Sequence, residues 1–282
     1  MKVLIFGSTG ILGTALMEAL RKDDFFKGIG TGRNKSADIS FEIGKKSLKN
    51  LLKNQKPDYV VNCIVAKQGS QSVLKQLIIN SFFPFVLSIY SQFNKFVLIQ
   101  ISTNSVFCER QNLKYESSYP VPSTLYGFTK LLGEILCRNS MIIRSSFIGD
   151  VPDNRNQLSF FGRIKKAEDG ASVSIGNDSL WNGLSSDGVA LFILNLIKFN
   201  MGHHFPKKIH LISTEIISKK ELAYLVGQRL NKNNVNICVN SKLITDQTLS
   251  TVTLDLQKKV WKLAGLDSPP SISNQILSMN VY

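Results

Sequence analysis

The pattern of apolar and polar positions divides the chain into alternating strand and helix blocks. Val3 to Phe6 is an unbroken apolar run, as in a strand buried on both faces. Thr14 to Leu20 then shows the three-and-four spacing of an amphipathic helix. The same alternation continues, with strands expected near 2–6, 27–32, 58–64, 95–101 and 140–144, and helices near 11–22, 45–54, 70–92 and 124–139. Pro57 and Asp58 turn the chain into a buried strand, and Lys95 opens another that runs to Ile101. Such alternation predicts an α/β fold, a doubly wound parallel sheet with helices on both faces. Ser186 to Phe199 has helical spacing and leads to a further strand at Ile209–Ser213. The expected organisation is a Rossmann part, residues 1–147 with 186–213 returning to it. Residues 148–185 and 214–282 form a smaller, discontinuous substrate-binding part.

Between the first strand and helix stand Gly7, Gly10 and Gly13. A strand, a glycine turn and a helix make a phosphate site, because the backbone approaches a pyrophosphate closely and helix N-terminal amides face its charge. Further on, Tyr126 and Lys130 are four apart in a helical segment, so phenol and ammonium share one face. A tyrosine, with a reference pKa of about 10, is a poor acid–base group near neutrality, and a lysine cation beside it favours the phenolate. Between these motifs the strand ending at Ile101 runs into Ser102, Thr103 and Asn104. A hydroxyl at the C-terminal end of a parallel strand lies where open α/β sheets place their ligands. Thr103 is therefore a candidate to hydrogen-bond a substrate carbonyl while Tyr126 donates its proton.

The G-x-x-G-x-x-G spacing with the downstream Tyr126/Lys130 pair resembles the extended branch of the short-chain dehydrogenase/reductase superfamily. Three stretches, Ser102 to Phe107, Tyr126 to Glu134 and Ile142 to Phe147, resemble the dTDP-4-dehydrorhamnose reductase family over roughly residues 1 to 265. The resemblance implies Thr103, Tyr126 and Lys130 as catalytic residues. It implies cofactor contacts from Gly7, Thr9, Gly10, Ile11, Leu12, Gly13, Asp38, Ile39, Cys63, Ile64 and Val65, besides Tyr126 and Lys130. It also places Asn80 at an active-site position, where a plain helix-surface amide is the alternative, and gives Thr103, Asn104, Phe147 and Trp181 as substrate contacts. Phe147 and Trp181 read equally well as buried aromatics, and Arg155 is a further candidate for a diphosphate.

The departures narrow the chemistry. Asn104 stands where the family has Asp, and Ser105 where it has Tyr. Sugar 4,6-dehydratases of the superfamily carry an Asp-Glu pair after the threonine, and Asn104-Ser105 supplies neither acid nor base. Epimerase–reductases use a Cys and a His, whereas the histidines here, His203, His204 and His210, all come late in the chain. Cys108 near the strand end reads as a small apolar filler. Reduction is what remains.

Cofactor choice turns on the second strand. NAD-preferring folds place Asp or Glu about 20 residues past the glycine loop to hold the ribose diol. Thr31, Gly32, Arg33 and Asn34 stand there instead. Arg33 is suited to forking onto a 2′-phosphate, so NADPH is expected, with NADH as the second choice.

Composition adds bounds. Four scattered cysteines lack metal or redox spacing, no metal is expected, and the usage fits a reducing cytoplasm. No run of about 18 apolar residues suggests a membrane span, and no signal peptide is expected. The net charge of +14 is spread over separated lysine pairs without interleaved aromatics, which argues against nucleic acid as a partner. The resulting reading is an NAD(P)H-dependent reductase of a nucleotide-linked 4-keto-6-deoxy sugar, in surface-polysaccharide synthesis, with a homodimer left open. The competing reading is a non-catalytic NADP-binding sensor or regulatory subunit on the same fold.

Overall fold

The computed structural model describes residues 1–66, 72–111, 113–152, 159–199, 206–239 and 245–282. Its centre is a seven-stranded sheet. Strands β1 (Lys2–Phe6), β2 (Lys27–Gly32), β3 (Ile39–Ser40), β4 (Tyr59–Asn62), β5 (Val97–Ser102), β6 (Ser140–Arg144) and β7 (Lys208–His210) lie in the order β7-β6-β5-β4-β1-β2-β3. Every pairing is parallel. The order reverses between β1 and β4, and in open α/β sheets the ligand crevice opens at such a switch point.

Period-two alternation explains how β1 serves two cores. Val3 and Ile5 face a cluster with Leu12, Leu16, Ile193 and Trp261. Leu4 and Phe6 face the opposite one, with Leu52, Val60, Phe83 and Leu87. Phe6 meets Phe41 and Phe83 edge-on at 5.2 and 5.3 Å between ring centroids.

The third cluster belongs to the smaller part, where Phe161, Ile164, Trp181, Leu222, Val226, Ile272 and Ile276 pack together. Its strands are two or three residues long, for example Ser172–Ser174 beside Asn236–Cys238, and Ser179–Trp181 between Ile217–Ser218 and Thr245–Asp246. Packing departs from the expected partition at Leu184, which joins the core of the sheet, and along one helix. The helix Leu254–Leu263 lies against Ser186–Phe199, and Trp261 meets Phe192 at 5.3 Å, so this stretch joins the core of the sheet. Chain order alone does not say which of two cores an amphipathic helix fills.

The helix Val73–Asn94 is, by length and composition alone, long and apolar enough to cross a bilayer. Its inner face is committed to the fold. A π-helical segment, Ile78–Phe82, puts Asn80 and Ser81 against the helix Leu125–Leu136. Ser81 Oγ donates to the Thr129 carbonyl at 2.7 Å, and Asn80 Nδ2 donates to Thr129 Oγ1 at 3.0 Å. The two helices touch backbone to backbone, since a Cβ on Gly133 would lie 2.2 Å from the Asn80 carbonyl oxygen. Gly133→Ala should therefore cost about 1–3 kcal/mol, the range for overpacking a tight contact, as read by urea denaturation. Unchanged stability would mean that the helices part freely.

Candidate active site

The glycine turn is built by steric necessity at two positions. Gly7 has φ +79°, a left-handed conformation that a side chain resists, and a Cβ there would meet Ile64 N at 3.1 Å. A Cβ on Gly13 would fall 2.1 Å from the Gly7 carbonyl oxygen. Gly10 N donates to that same oxygen at 3.0 Å, closing the turn. Gly10 caps the helix Ile11–Arg21 with no side-chain hydrogen bond, so first-turn amides are left without intrahelical acceptors. An exposed amide cluster, with no side chain in the way, fits a dinucleotide diphosphate.

Beside this turn opens a cavity of about 450 Å³. Ile11, Cys63, Ile64 and Val65 form its floor at the switch point, and Thr103, Asn104, Tyr126 and Lys130 form one end. Phe147 and Trp181 stand on the smaller part's side. Trp181 is buried and its indole N–H donates to Ser146 Oγ at 2.8 Å, which fixes the ring as a wall.

The remaining residues expected to touch the cofactor lie off this cavity. Gly7, Gly10 and Gly13 form the turn itself, while the Leu12 side chain belongs to the core, leaving only its backbone toward the turn. Thr9 and Asp38 line a second cleft of about 230 Å³ together with Arg21 and Ser36. The Asp38 carboxylate accepts the Gly30 amide at 2.7 Å, Ile39 starts β3, and Arg33 is exposed on the loop between β2 and β3. Arg155, His203 and His204 lie outside the described residues.

Thr103 is the N-cap of a short turn, its Oγ1 accepting the Ser105 amide at 3.1 Å. Its hydroxyl lies near enough to the Tyr126 phenol to favour the phenolate. Close contact makes this possible, since a Cβ on Gly127 would lie 2.0 Å from the Ser105 carbonyl oxygen. Asn104 lines the cavity, but its amide is donated to the Gln247 carbonyl at 2.9 Å, tying the end of β5 to the smaller part. Asn80 is also committed: Ala66 N donates to its Oδ1 at 2.9 Å, and its Nδ2 donates to the Ala66 carbonyl at 3.0 Å. It thereby couples the stretch after β4 to the helix carrying Tyr126 and Lys130.

Burial pushes the Tyr126 phenol up to about 12, with the Thr103 hydroxyl pulling it down. Burial pulls Lys130 down to about 8, opposed by the Glu134 carboxylate one turn along. The expectation that Lys130 makes Tyr126 more acidic meets a different balance here. Desolvation dominates, and the Lys130 ammonium donates to the Ile101 carbonyl at 2.6 Å. Tyr126 is consequently a protonated donor near neutrality. Burial also raises the Cys63 thiol to about 12, so this cavity-lining group stays a thiol rather than a nucleophile.

Behind the site runs a buried charged chain. Glu134 accepts from Ser102 Oγ at 2.5 Å and from Arg144 Nε and Nη2 at 3.0 and 2.7 Å. Arg144 Nη1 lies 3.1 Å from His210 Nε2, and His210 Nδ1 lies 2.7 Å from the Ser250 carbonyl. The proton therefore sits on Nδ1, and burial holds His210 neutral, its pKa lowered to about 4.

Sequence reasoning missed Phe160, Arg163 and Lys219, which line the cavity from the smaller part. No local signal marks them, because only packing of two separate stretches brings them to one wall.

A doubly wound parallel sheet with a glycine turn at its first strand and a Tyr126/Lys130 helix beside the switch point is the architecture of the extended short-chain dehydrogenase/reductases. A family model described as the RmlD substrate binding domain matches residues 1–256, and the chain belongs to that family. Among solved structures, it is similar to the dTDP-4-dehydrorhamnose reductase of Clostridium acetobutylicum at 21% identity, over 99% of this chain and 98% of that one, with a TM-score of 0.75. The Bacillus anthracis enzyme of that name, in complex with NADP, matches at 20% identity over 99% and 98%, TM-score 0.76. The UDP-glucuronic acid 4-epimerase of Bacillus cereus, in complex with UDP-glucuronic acid and NAD, matches at 19% over 99% and 98%, TM-score 0.77. Among curated proteins, methionine adenosyltransferase 2 subunit beta of Danio rerio is 25% identical over 180 residues, 60% of this chain. The match spans about half of that relative, 51% of its length.

The charged chain generates a direct test. Arg144→Met leaves the buried Glu134 only the Ser102 hydroxyl and the Lys208 ammonium 3.9 Å away, and should destabilise the fold by about 3–5 kcal/mol in urea denaturation, as loss of one member of a buried pair does. A loss under ~1 kcal/mol would mean that water replaces the guanidinium at no great cost.

Proposed function

We propose that this chain is an NADPH-dependent reductase of a ketone on a nucleotide-linked 4-keto-6-deoxy sugar. The observation that carries the reading is the convergence of Thr103, Tyr126 and Lys130 on one cavity, which Ile11 of the glycine turn also lines. The Bacillus anthracis relative crystallised with NADP supports the cofactor, and the family supports the substrate class.

The bound nicotinamide supplies the hydride. Thr103 orients the carbonyl oxygen, and Tyr126 gives its proton to that oxygen as negative charge develops there. A phenol near 12 suits this step, because an alkoxide is about as strong a base as hydroxide, whose conjugate acid has a pKa of about 15.7. Lys130, protonated, balances the phenolate left behind and hydrogen-bonds the nicotinamide ribose. Asn104, its amide already donated, neither adds nor removes a proton, in keeping with reduction rather than dehydration.

A second reading is favoured by one specific observation, the similarity to a methionine adenosyltransferase subunit. In that reading the chain binds NADP and a partner without turnover. NADPH oxidation against a panel of 4-keto nucleotide sugars separates the two, and the absence of turnover with every member would leave the subunit reading.

Three expectations follow for the reductase. Tyr126→Phe should lose at least ~10²-fold in turnover while still binding cofactor, the scale of general acid catalysis; near-wild-type turnover removes Tyr126 from the mechanism. The quantity kcat/KM for NADPH, which reports groups of the free enzyme, should fall as pH rises through about 8, where Lys130 loses its proton. That limb should vanish in Lys130→Arg, because arginine stays charged; its persistence there assigns the limb to another group. Finally, Arg33→Ala should weaken NADPH binding by roughly 1.5–3 kcal/mol and leave NADH nearly unchanged, since only NADPH offers a 2′-phosphate. Parallel losses for both cofactors would place the 2′-phosphate elsewhere, with Arg21 in the Asp38 cleft as the next residue to change.

A further inference from the structure

Two amides interrupt the apolar runs of neighbouring strands just before each strand reaches the cavity. Asn62 ends β4, Gln100 stands near the end of β5, and the parallel register sets them directly opposite each other. They lie on the face that carries Val60 and Leu98, where alternation calls for hydrocarbon, and both are buried. A buried amide costs stability unless its hydrogen-bonding groups are filled. Here they are filled in one direction. The Ile64 amide donates to Asn62 Oδ1 at 3.2 Å, Asn62 Nδ2 donates to Gln100 Oε1 at 2.8 Å, and Gln100 Nε2 donates to the Ile101 carbonyl at 2.8 Å. A backbone donor at one end and a backbone acceptor at the other leave each side chain only this orientation.

Both ends of the chain of amides meet the site. Ile64 lines the cavity and backs the glycine turn, where its amide nitrogen would meet a Cβ on Gly7 at 3.1 Å. The Ile101 carbonyl is also the acceptor of the Lys130 ammonium, at 2.6 Å. A carbonyl oxygen has two lone pairs. Gln100 occupies one, so the ammonium is confined to the other and its remaining N–H groups take a set direction. The positive end of the Gln100 amide meets the ammonium across that oxygen, which opposes the lysine's charge. The titratable groups acting on Lys130 are Glu134 and Cys137 on its own helix and at its end, and Cys63 after β4. Burial holds both thiols at about 12, as it does the Tyr126 phenol, and Glu134 is locked to Arg144. The amine itself is the group that changes charge near 8.

We propose that Asn62 and Gln100 are positioning residues for Lys130. Their amide chain fixes the Ile101 carbonyl, confines the ammonium to one side of it, and ties that aim to the cavity floor at Ile64. The proposal rests on the reading of Lys130 as the group that holds the nicotinamide ribose, and it is tested by cofactor binding, which needs no substrate.

The test measures the calorimetric Kd of NADPH with the full chain from neutral to alkaline pH. In wild type, affinity should fall as pH rises through about 8, where Lys130 loses its proton, and Lys130→Arg should abolish that fall. Gln100→Met keeps the side chain's length, frees the second lone pair and withdraws the opposing dipole. The fall should then move to higher pH by about half a unit or more, because the ammonium gains a better acceptor. Below the fall, affinity should weaken roughly three- to tenfold, the worth of one lost hydrogen bond, since the ammonium is no longer aimed. Asn62→Leu should shift the fall the same way by releasing Gln100, and Asn62→Leu/Gln100→Met should go no further than Gln100→Met alone. The double variant leaves neither amide buried without its partner, so it should melt close to wild type even where a single variant loses stability. A fall at unchanged pH in Gln100→Met and in the double variant overturns the proposal, as does a double shift equal to the two single shifts together. A wild type whose NADPH affinity carries no Lys130-dependent fall overturns it too. A chain that passes these tests and reduces no 4-keto sugar overturns the reductase reading and leaves the positioning role standing.

Discussion

An ion pair sealed from water sits behind the catalytic face, and much of the site's geometry follows from it. Glu134 and Arg144 come from a helix and from a central strand, and both are fully buried. Buried charges persist only when their hydrogen-bonding capacity is filled. Ser102 fills Glu134 from the neighbouring strand, and His210 fills Arg144 from the strand beyond. The consequence is that Leu125–Leu136 cannot rotate or slide on the sheet without stranding a charge. Tyr126 and Lys130 ride on that helix, so their aim is set by electrostatics one and two turns away.

The same carboxylate has a second effect. Lys130 is buried deeply enough for desolvation to favour its neutral form, and Glu134 opposes this. Glycines at 127 and 133 complete the constraint from the other side, allowing the helix to touch the turn after Thr103 and the π-helical segment carrying Asn80. Side-chain hydrogen bonds from Asn80 then fix the stretch at Ala66, which continues the cavity floor from Cys63 to Val65. Hydroxyl, phenol, ammonium and floor are thereby held in one piece. Such preorganisation is what a proton donor needs if reorganisation is not to cost rate.

How much of this was legible in the sequence depends on whether the determinant is local. β1 and β4 are apolar because both faces are covered, so their runs announce themselves, and Gly7 and Tyr126/Lys130 lie at spacings that geometry demands. β3 is two residues long at a sheet edge, and the strands of the smaller part are scarcely longer, so no period develops in them. Glu134 read only as one more helix position, since its partners lie 10 and 32 residues away. Leu254–Leu263 is amphipathic whichever core it fills, and only the three-dimensional closeness of Phe192 and Trp261 decides for the sheet.

The departure at Asn104 is where sequence and geometry inform each other most. A carboxylate there would be an acid–base group, whereas an amide is both donor and acceptor without titrating. The structure gives that amide a mechanical task, linking the end of β5 to Gln247 in the smaller part. Gln247 in turn holds Glu109, one of the acids beside Lys219. Gln247 thus ties the turn after Thr103 and the nearby Glu109 to the smaller part through its backbone and its side chain at once. The placing of the smaller part beside the Thr103 turn is consequently a property of the folded chain and not of a ligand.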